Sequence, residues 1–165
     1  MIYRFRTILD TKEDILRDIE IEASATLEDF HYAIAQAFGF DGSEMASFYR
    51  TNKEWEQGDE IPLLDMDQGI VPMGQEQINS VFDAENHHLI YVYDFLDLWT
   101  FFVELMEIGE PEVSKLYPNL IFAQGEVPDE APNKDFVAKK NPSKDELEND
   151  NDEDGLDDYN DNDFY

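Results

Sequence analysis

The sequence contains no cysteine in 165 residues. Disulfides, thiolate nucleophiles and cysteine-ligated zinc are therefore excluded. It is equally poor in positive charge: 11 Lys and Arg stand against 40 Asp and Glu, a formal net charge of −29. A surface so short of cations has little to exchange for the counterions of a phosphate backbone, which argues against direct nucleic-acid binding. An anionic membrane surface repels it for the same reason. No stretch approaches the ~18 consecutive apolar residues of a membrane span. The opening MIYRFRTILD lacks the apolar run of a secretory leader. The expectation is a soluble, cytoplasmic protein. No glycine-rich phosphate loop, G-x-S-x-G elbow or H-E-x-x-H pair is present.

What remains is rich in material for a core: 42% of residues are hydrophobic, among them 12 Phe, 8 Tyr and 2 Trp. Composition shifts beyond Gly125. Residues 126–165 hold 15 acids and four lysines, whereas residues 1–125 hold 25 acids and seven bases, a net of −18. We read a folded domain over residues 1–130 and an acidic, low-complexity tail over 131–165. That tail has too few aliphatic residues to offset its ordering entropy, so disorder is expected there.

The periodicities specify an α+β fold. Ile2 to Leu9 alternates, with Tyr3, Phe5, Thr7 and Leu9 on one face and Arg4 and Arg6 on the other. From Asp18 to Ala23, Ile19, Ile21 and Ala23 alternate with Glu20 and Glu22, predicting a strand with an acidic outer face. The polar turn between these runs makes them a hairpin. A helix follows. Thr26 is its N-cap, Asp29 its capping-box partner, Leu27, Phe30, Ile34, Ala37 and Phe38 its apolar stripe, and Gly39 its stop. Met45 to Arg50 reads as a third strand, and Thr51 to Gly74 as an excursion with a hairpin turn at Gly58-Asp59. A short helix over 75–82 offers Ile78, Val81 and Phe82 to the core. The clearest signal is LIYVYDFLDLWTFFVELMEI, two alternating runs about a polar turn. It predicts a central β-hairpin, since both of its faces carry apolar residues. NLIFAQG, beyond Pro118, reads as an edge segment. The architecture expected is a two-layer sandwich: an antiparallel sheet with one main helix packed on a face.

Several residues are candidates for chemistry. Asp94 and Asp97 flank the central turn. Two close carboxylates could share a metal ion or divide acid and base roles. The plainer reading, which we favour, is that they bond backbone amides and fix the turn. His31 lies on the apolar stripe of the helix and could act as a general base toward Asp94 or Asp97, or be a buried histidine bonded to the sheet. His87 and His88 open a strand and read as part of an exposed turn. In the tail, Asp150, Asp152, Asp154, Gly155, Asp158 and Asp161 match the spacing of an EF-hand calcium loop with Asp in the last position. The flanks do not: only four residues follow Asp161, too few for an exiting helix.

Two blocks carry a family resemblance. The first is DIEIEASATLEDFHYAIAQAFGF, with Leu27, Phe30, His31, Ile34 and the run from Gln36 to Phe40. The second is YVYDFLDLW, Tyr91 to Trp99, similar to a Y-x-Y-D-F-G-D-x-W signature. They resemble the plasmid pRi ORF-three-like family, also met as the insertion-element passenger TnpR family, over residues 1 to about 130. The resemblance implies an α+β fold and a histidine at position 31, but no settled activity. Leu96 stands where the family signature has glycine, and the Cys-Gly-Gly ending of the family is absent.

The function expected is that of a non-catalytic acidic protein-interaction module. It would engage a basic protein partner, or mimic a nucleic-acid surface, through residues such as Glu20, Glu22 and Trp99. The alternative from another class is a metal-dependent or degenerate enzyme using His31, Asp94 and Asp97. The sequence leaves the oligomeric state open.

Overall fold

A computed structural model describes residues 1–65 and 69–132. The chain divides into two units, Met1–Ala131 and Pro132–Tyr165. The first unit is built from β1 (Ile2–Leu9), β2 (Leu16–Glu22), α1 (Leu27–Ala37), β3 (Ala46–Thr51), β4 (Gln57–Pro62), a single 3-10 turn (Met73–Gln75), α2 (Ile78–Val81), β5 (His88–Tyr93), β6 (Trp99–Gly109) and β7 (Asn119–Gln124). The strands form one seven-stranded sheet in the order β4-β3-β5-β6-β1-β2-β7. Every pairing is antiparallel. The expected hairpin, β5-β6, occupies the middle, and the NLIFAQ segment forms an edge strand as read. The fold is α+β, with α1 as its main helix.

α1 forms because its ends are satisfied and one stripe is apolar. The Thr26 hydroxyl accepts from the Asp29 amide at 3.1 Å, and Asp29 Oδ2 accepts from the Thr26 amide at 3.1 Å. This is the reciprocal cap expected from the sequence. The stripe lies on the sheet, where aromatic rings continue through the core. Phe5 meets Phe30 at 4.5 Å, Phe48 meets Tyr91 at 4.9 Å, and Phe38 meets Phe101 at 4.6 Å. Phe5, Phe30, Phe48 and Phe101 are fully buried. Each contributes about 1.5–3 kcal/mol by transfer out of water. In β3, Ala46 and Phe48 are the core residues, opposite in phase to Ser47 and Tyr49.

The opposite face follows the alternation of β1. Arg4 and Arg6 project there and converge on Asp18 of β2. Arg6 Nε and one terminal nitrogen donate to its two oxygens at 2.9 Å each, and Arg4 lies 3.7 Å away. Asp18 is 1% exposed, so this bidentate pairing supplies most of what water no longer does.

Two features depart from the expectation. Gly58-Asp59 is not a turn; it lies inside β4. Glycine is required at 58 for another reason: a Cβ would sit 2.9 Å from the Arg50 carbonyl, beside the register shift between β3 and β4. The true turn is built by Asn52, whose Oδ1 accepts from the amides of Glu54 and Glu56, with Trp55 at φ 63°. Trp55 folds onto the outer face, 4.5 Å from His88 and 5.0 Å from Phe102. Second, β2 begins two residues earlier than expected and brings Arg17 onto the helix side.

Arg17 is 9% exposed and meets no carboxylate among the described residues. Its guanidinium donates instead to four carbonyls: Leu16, Ala37, Gln124 and Gly125, at 2.8 to 3.1 Å. The C-terminal turn of α1, strand β2 and the end of β7 thus share one cation. The Phe38 ring lies 5.1 Å beneath it. Gly125 closes this corner at φ 84°, where a Cβ would meet the Asp14 carbonyl at 2.7 Å.

Candidate functional site

The residues suspected of chemistry do not form a common site. His31 is fully buried, and a hydrogen bond of 2.6 Å joins its Nδ1 to the Tyr91 hydroxyl. Its Nε2 has no partner among the described residues. The Tyr32, Tyr91 and Tyr93 rings surround it at 4.6, 5.8 and 6.3 Å. Burial lowers the His31 pKa to about 4, so the ring is neutral at neutral pH. Burial also pushes the Tyr91 hydroxyl well above its ordinary value. His31 makes no hydrogen bond to Asp94 or Asp97.

Asp94 instead holds the turn. It adopts φ 67°, and its Oδ1 accepts from the amides of Leu96 at 3.0 Å and Asp97 at 3.4 Å. The other left-handed residue of this turn is Leu98, at φ 58°. Leu96, which replaces the family glycine, is not among the positive-φ residues and is 92% exposed. Among the described residues, no group of three or more His, Asp or Glu side chains is placed to hold a metal ion, so His31, Asp94 and Asp97 do not make one. His88 opens β5 half-buried beneath Trp55 and lies 3.6 Å from Glu104, rather than in an exposed turn. The Asp150, Asp152, Asp154, Asp158 and Asp161 pattern lies outside the described residues.

Trp99 requires a correction. Read as a partner contact, it is 6% exposed and packs on Phe40 at 4.9 Å, because β6 turns that face toward the core. Glu20 is half-buried, with Oε1 3.6 Å from Lys115. That spacing makes an ion pair without a hydrogen bond, and the same oxygen has no hydrogen-bond partner among the described residues. Glu22 is exposed.

The Tyr91–Trp99 signature can now be read residue by residue. Tyr91 ties β5 to His31 of α1. The Tyr93 hydroxyl donates to Asp41 Oδ1 at 3.2 Å and accepts from the Glu44 amide at 3.3 Å. Asp94 holds the turn, and Trp99 packs beneath Phe40. The signature fastens the central hairpin to α1 and to the connection leading into β3. The sequence as a whole matches that of the plasmid pRiA4b ORF-3-like proteins over residues 2–153. The chain belongs to the plasmid pRiA4b ORF-3-like family. The family match runs past residue 130 into the acidic segment, further than the motifs alone reach. No curated protein matches the sequence. The fold is similar to the crystal structure of a protein of unknown function from Methanosarcina mazei Go1. The TM-score is 0.66 and the identity 24%, over 74% of this chain and 68% of that one.

Sequence reading missed one surface feature of the domain. An open cleft of about 410 Å³ lies where α1, the end of β2 and the Tyr117-Pro118 segment meet. Glu22, Asp29, Tyr32, Gln36 and Tyr117 supply its polar lining. Glu22 is legible as part of an alternating strand. That Asp29, Tyr32 and Gln36 lie on the solvent side of α1 follows from their helical spacing. The approach of Tyr117 does not, because it depends on a long irregular connection. Among the described residues, no helix is long and apolar enough to cross a membrane.

Proposed function

We propose that this chain is a non-catalytic acidic interaction module that works in the cytoplasm and engages a basic protein partner. The observation that carries this reading is the placement of its cations. Arg4 and Arg6 are engaged by Asp18, Arg17 by backbone carbonyls, Arg50 by Glu76, and Lys115 by Glu20 and Glu112. The positive charge of the described residues is thus largely satisfied within the domain. Carboxylates such as Glu22, Asp29, Asp41, Glu44 and Asp97 remain exposed. A rigid surface with this imbalance attracts basic partners and accelerates their encounter. The buried, neutral His31 and the turn-fixing Asp94 offer no acid–base pair for the competing enzymatic reading.

The test is fluorescence anisotropy of a labelled Lys/Arg-rich peptide with the full chain across a salt series. It is repeated on a variant whose tail aspartates 150, 152, 154, 158 and 161 are changed to Asn. Binding that weakens with salt and survives tail neutralisation is expected. No binding at low salt, or binding abolished by the tail changes, refutes a role for the folded acidic surface.

A further inference from the structure

The geometry points to the cleft between α1, β2 and Tyr117-Pro118 as a receptor for a single arginine side chain of the partner. This rests on the proposed interaction role and specifies where and how it operates. Among the described residues the cleft offers acceptors and ring faces and no cation. Glu22 is exposed, and its side chain makes no hydrogen bond or ion pair among the described residues. Asp29 is held in place because one of its oxygens caps the Thr26 amide. Gln36, two turns further along α1, adds an amide oxygen to the same wall.

The remaining walls suit a planar cation. Tyr32 is 48% exposed, and Gly42 lies against one side of its ring, where a Cβ would come within 3.2 Å. That support fixes the ring while leaving it accessible. The Tyr117 hydroxyl accepts from the Glu112 amide at 3.1 Å, which fixes the second ring. Ile21, Ala25, Ala33 and Pro118 supply apolar surface for a methylene stem. The cation of the connection that carries Tyr117, Lys115, is drawn away by Glu112 at 3.1 Å and Glu20 at 3.6 Å. Its own charge therefore does not fill the cleft. Guanidinium is favoured over ammonium because it stacks on tyrosine faces and donates in a plane to separate carboxylates. The volume, about 410 Å³, accepts one long side chain with its flanking backbone at the open mouth.

The experiment uses the full chain and two peptides of equal length and charge, one carrying arginines and the other lysines. Affinities are measured by calorimetry for the native protein, Tyr32→Ala and Glu22→Gln. Both substituted side chains are exposed, and circular dichroism checks that the fold is retained. The arginine peptide is expected to bind about five- to tenfold more tightly than the lysine peptide, and each substitution to remove most of that preference. If both peptides bind, and the variants bind them like the native protein, the cleft is not the receptor although the acidic module stands. Equal affinity for arginine and lysine in the native protein likewise overturns the inference. Absence of any peptide binding at low salt removes the underlying interaction role as well.

Discussion

Acid should weaken this fold through His31 before most carboxylates are protonated. In the unfolded chain the imidazole titrates near its ordinary value of 6.5, whereas in the folded protein burial lowers it to about 4. Above pH 6.5 both states hold it neutral, and its contribution to stability is fully present. Between these values the unfolded chain takes up a proton that the folded chain refuses, so stability falls with pH. Below about 4 the loss is complete. From pH 7 to pH 5 the cost is about 2 kcal/mol, on the order of 1 M in urea midpoint for a domain of this size. The surroundings leave little else to titrate in that window. Tyr91 is pushed further up by burial, and Asp41, bonded by Ser43 and Tyr93, is held below its ordinary range. The matching variant is His31→Phe. It leaves the Tyr91 hydroxyl without its partner and lowers stability by about 1–3 kcal/mol at pH 7, but it removes the ionisable ring, so its deficit shrinks as the pH falls. Urea unfolding followed by tryptophan fluorescence at pH 7, 6 and 5 gives the comparison. The native protein should lose about 2 kcal/mol more than the variant over that range. Parallel pH curves for the two proteins would show that His31 is not held neutral by burial.

Arg17→Lys should cost about 2–4 kcal/mol, because one ammonium cannot replace a planar fork on four carbonyls. A urea midpoint within error of the native value would contradict the bonding described for this corner. Arg6→Met should cost about 2 kcal/mol, since it leaves the buried Asp18 with only the more distant Arg4. Combining it with Asp18→Asn should cost less than the sum of the two single changes; simple additivity would show that the pair is not coupled.

The elements most legible in the sequence are those whose causes are local. The capping box of Thr26 and Asp29, the alternation of β1 and the twin runs of β5 and β6 each determine their geometry within a few residues. What escapes depends on distant partners. Gly58 resembles a turn glycine, and only its approach to Arg50 shows why a side chain is excluded there. Arg17 looks like a solvated residue beside a polar turn, although continuing the alternation of Ile19 and Ile21 back by one step places it inward. A surface role for Trp99 follows residue type, against the strand periodicity that puts it in the core. Of the suspected chemical set, the plainer readings of His31 and Asp94 match their observed partners. The cleft is half visible, as residues spaced along α1, because its other wall comes from a connection with no periodicity.

The cluster around Arg17 also bears on how the chain is made. The guanidinium and its last acceptor, Gly125, are 108 residues apart in sequence. β1 takes one neighbour from β2 nearby and the other from β6, far along the chain, where Ile2 opposes Gly109. During synthesis the β1-β2 hairpin therefore waits with the edge that pairs β6 open and an arginine without its distant acceptors. The sheet closes only when nearly the whole domain has emerged. Pairing over such separations is slow, and the waiting chain is exposed to aggregation. A strongly negative chain repels its own copies during that interval, so the acidity that suits a basic partner also protects the unfinished fold.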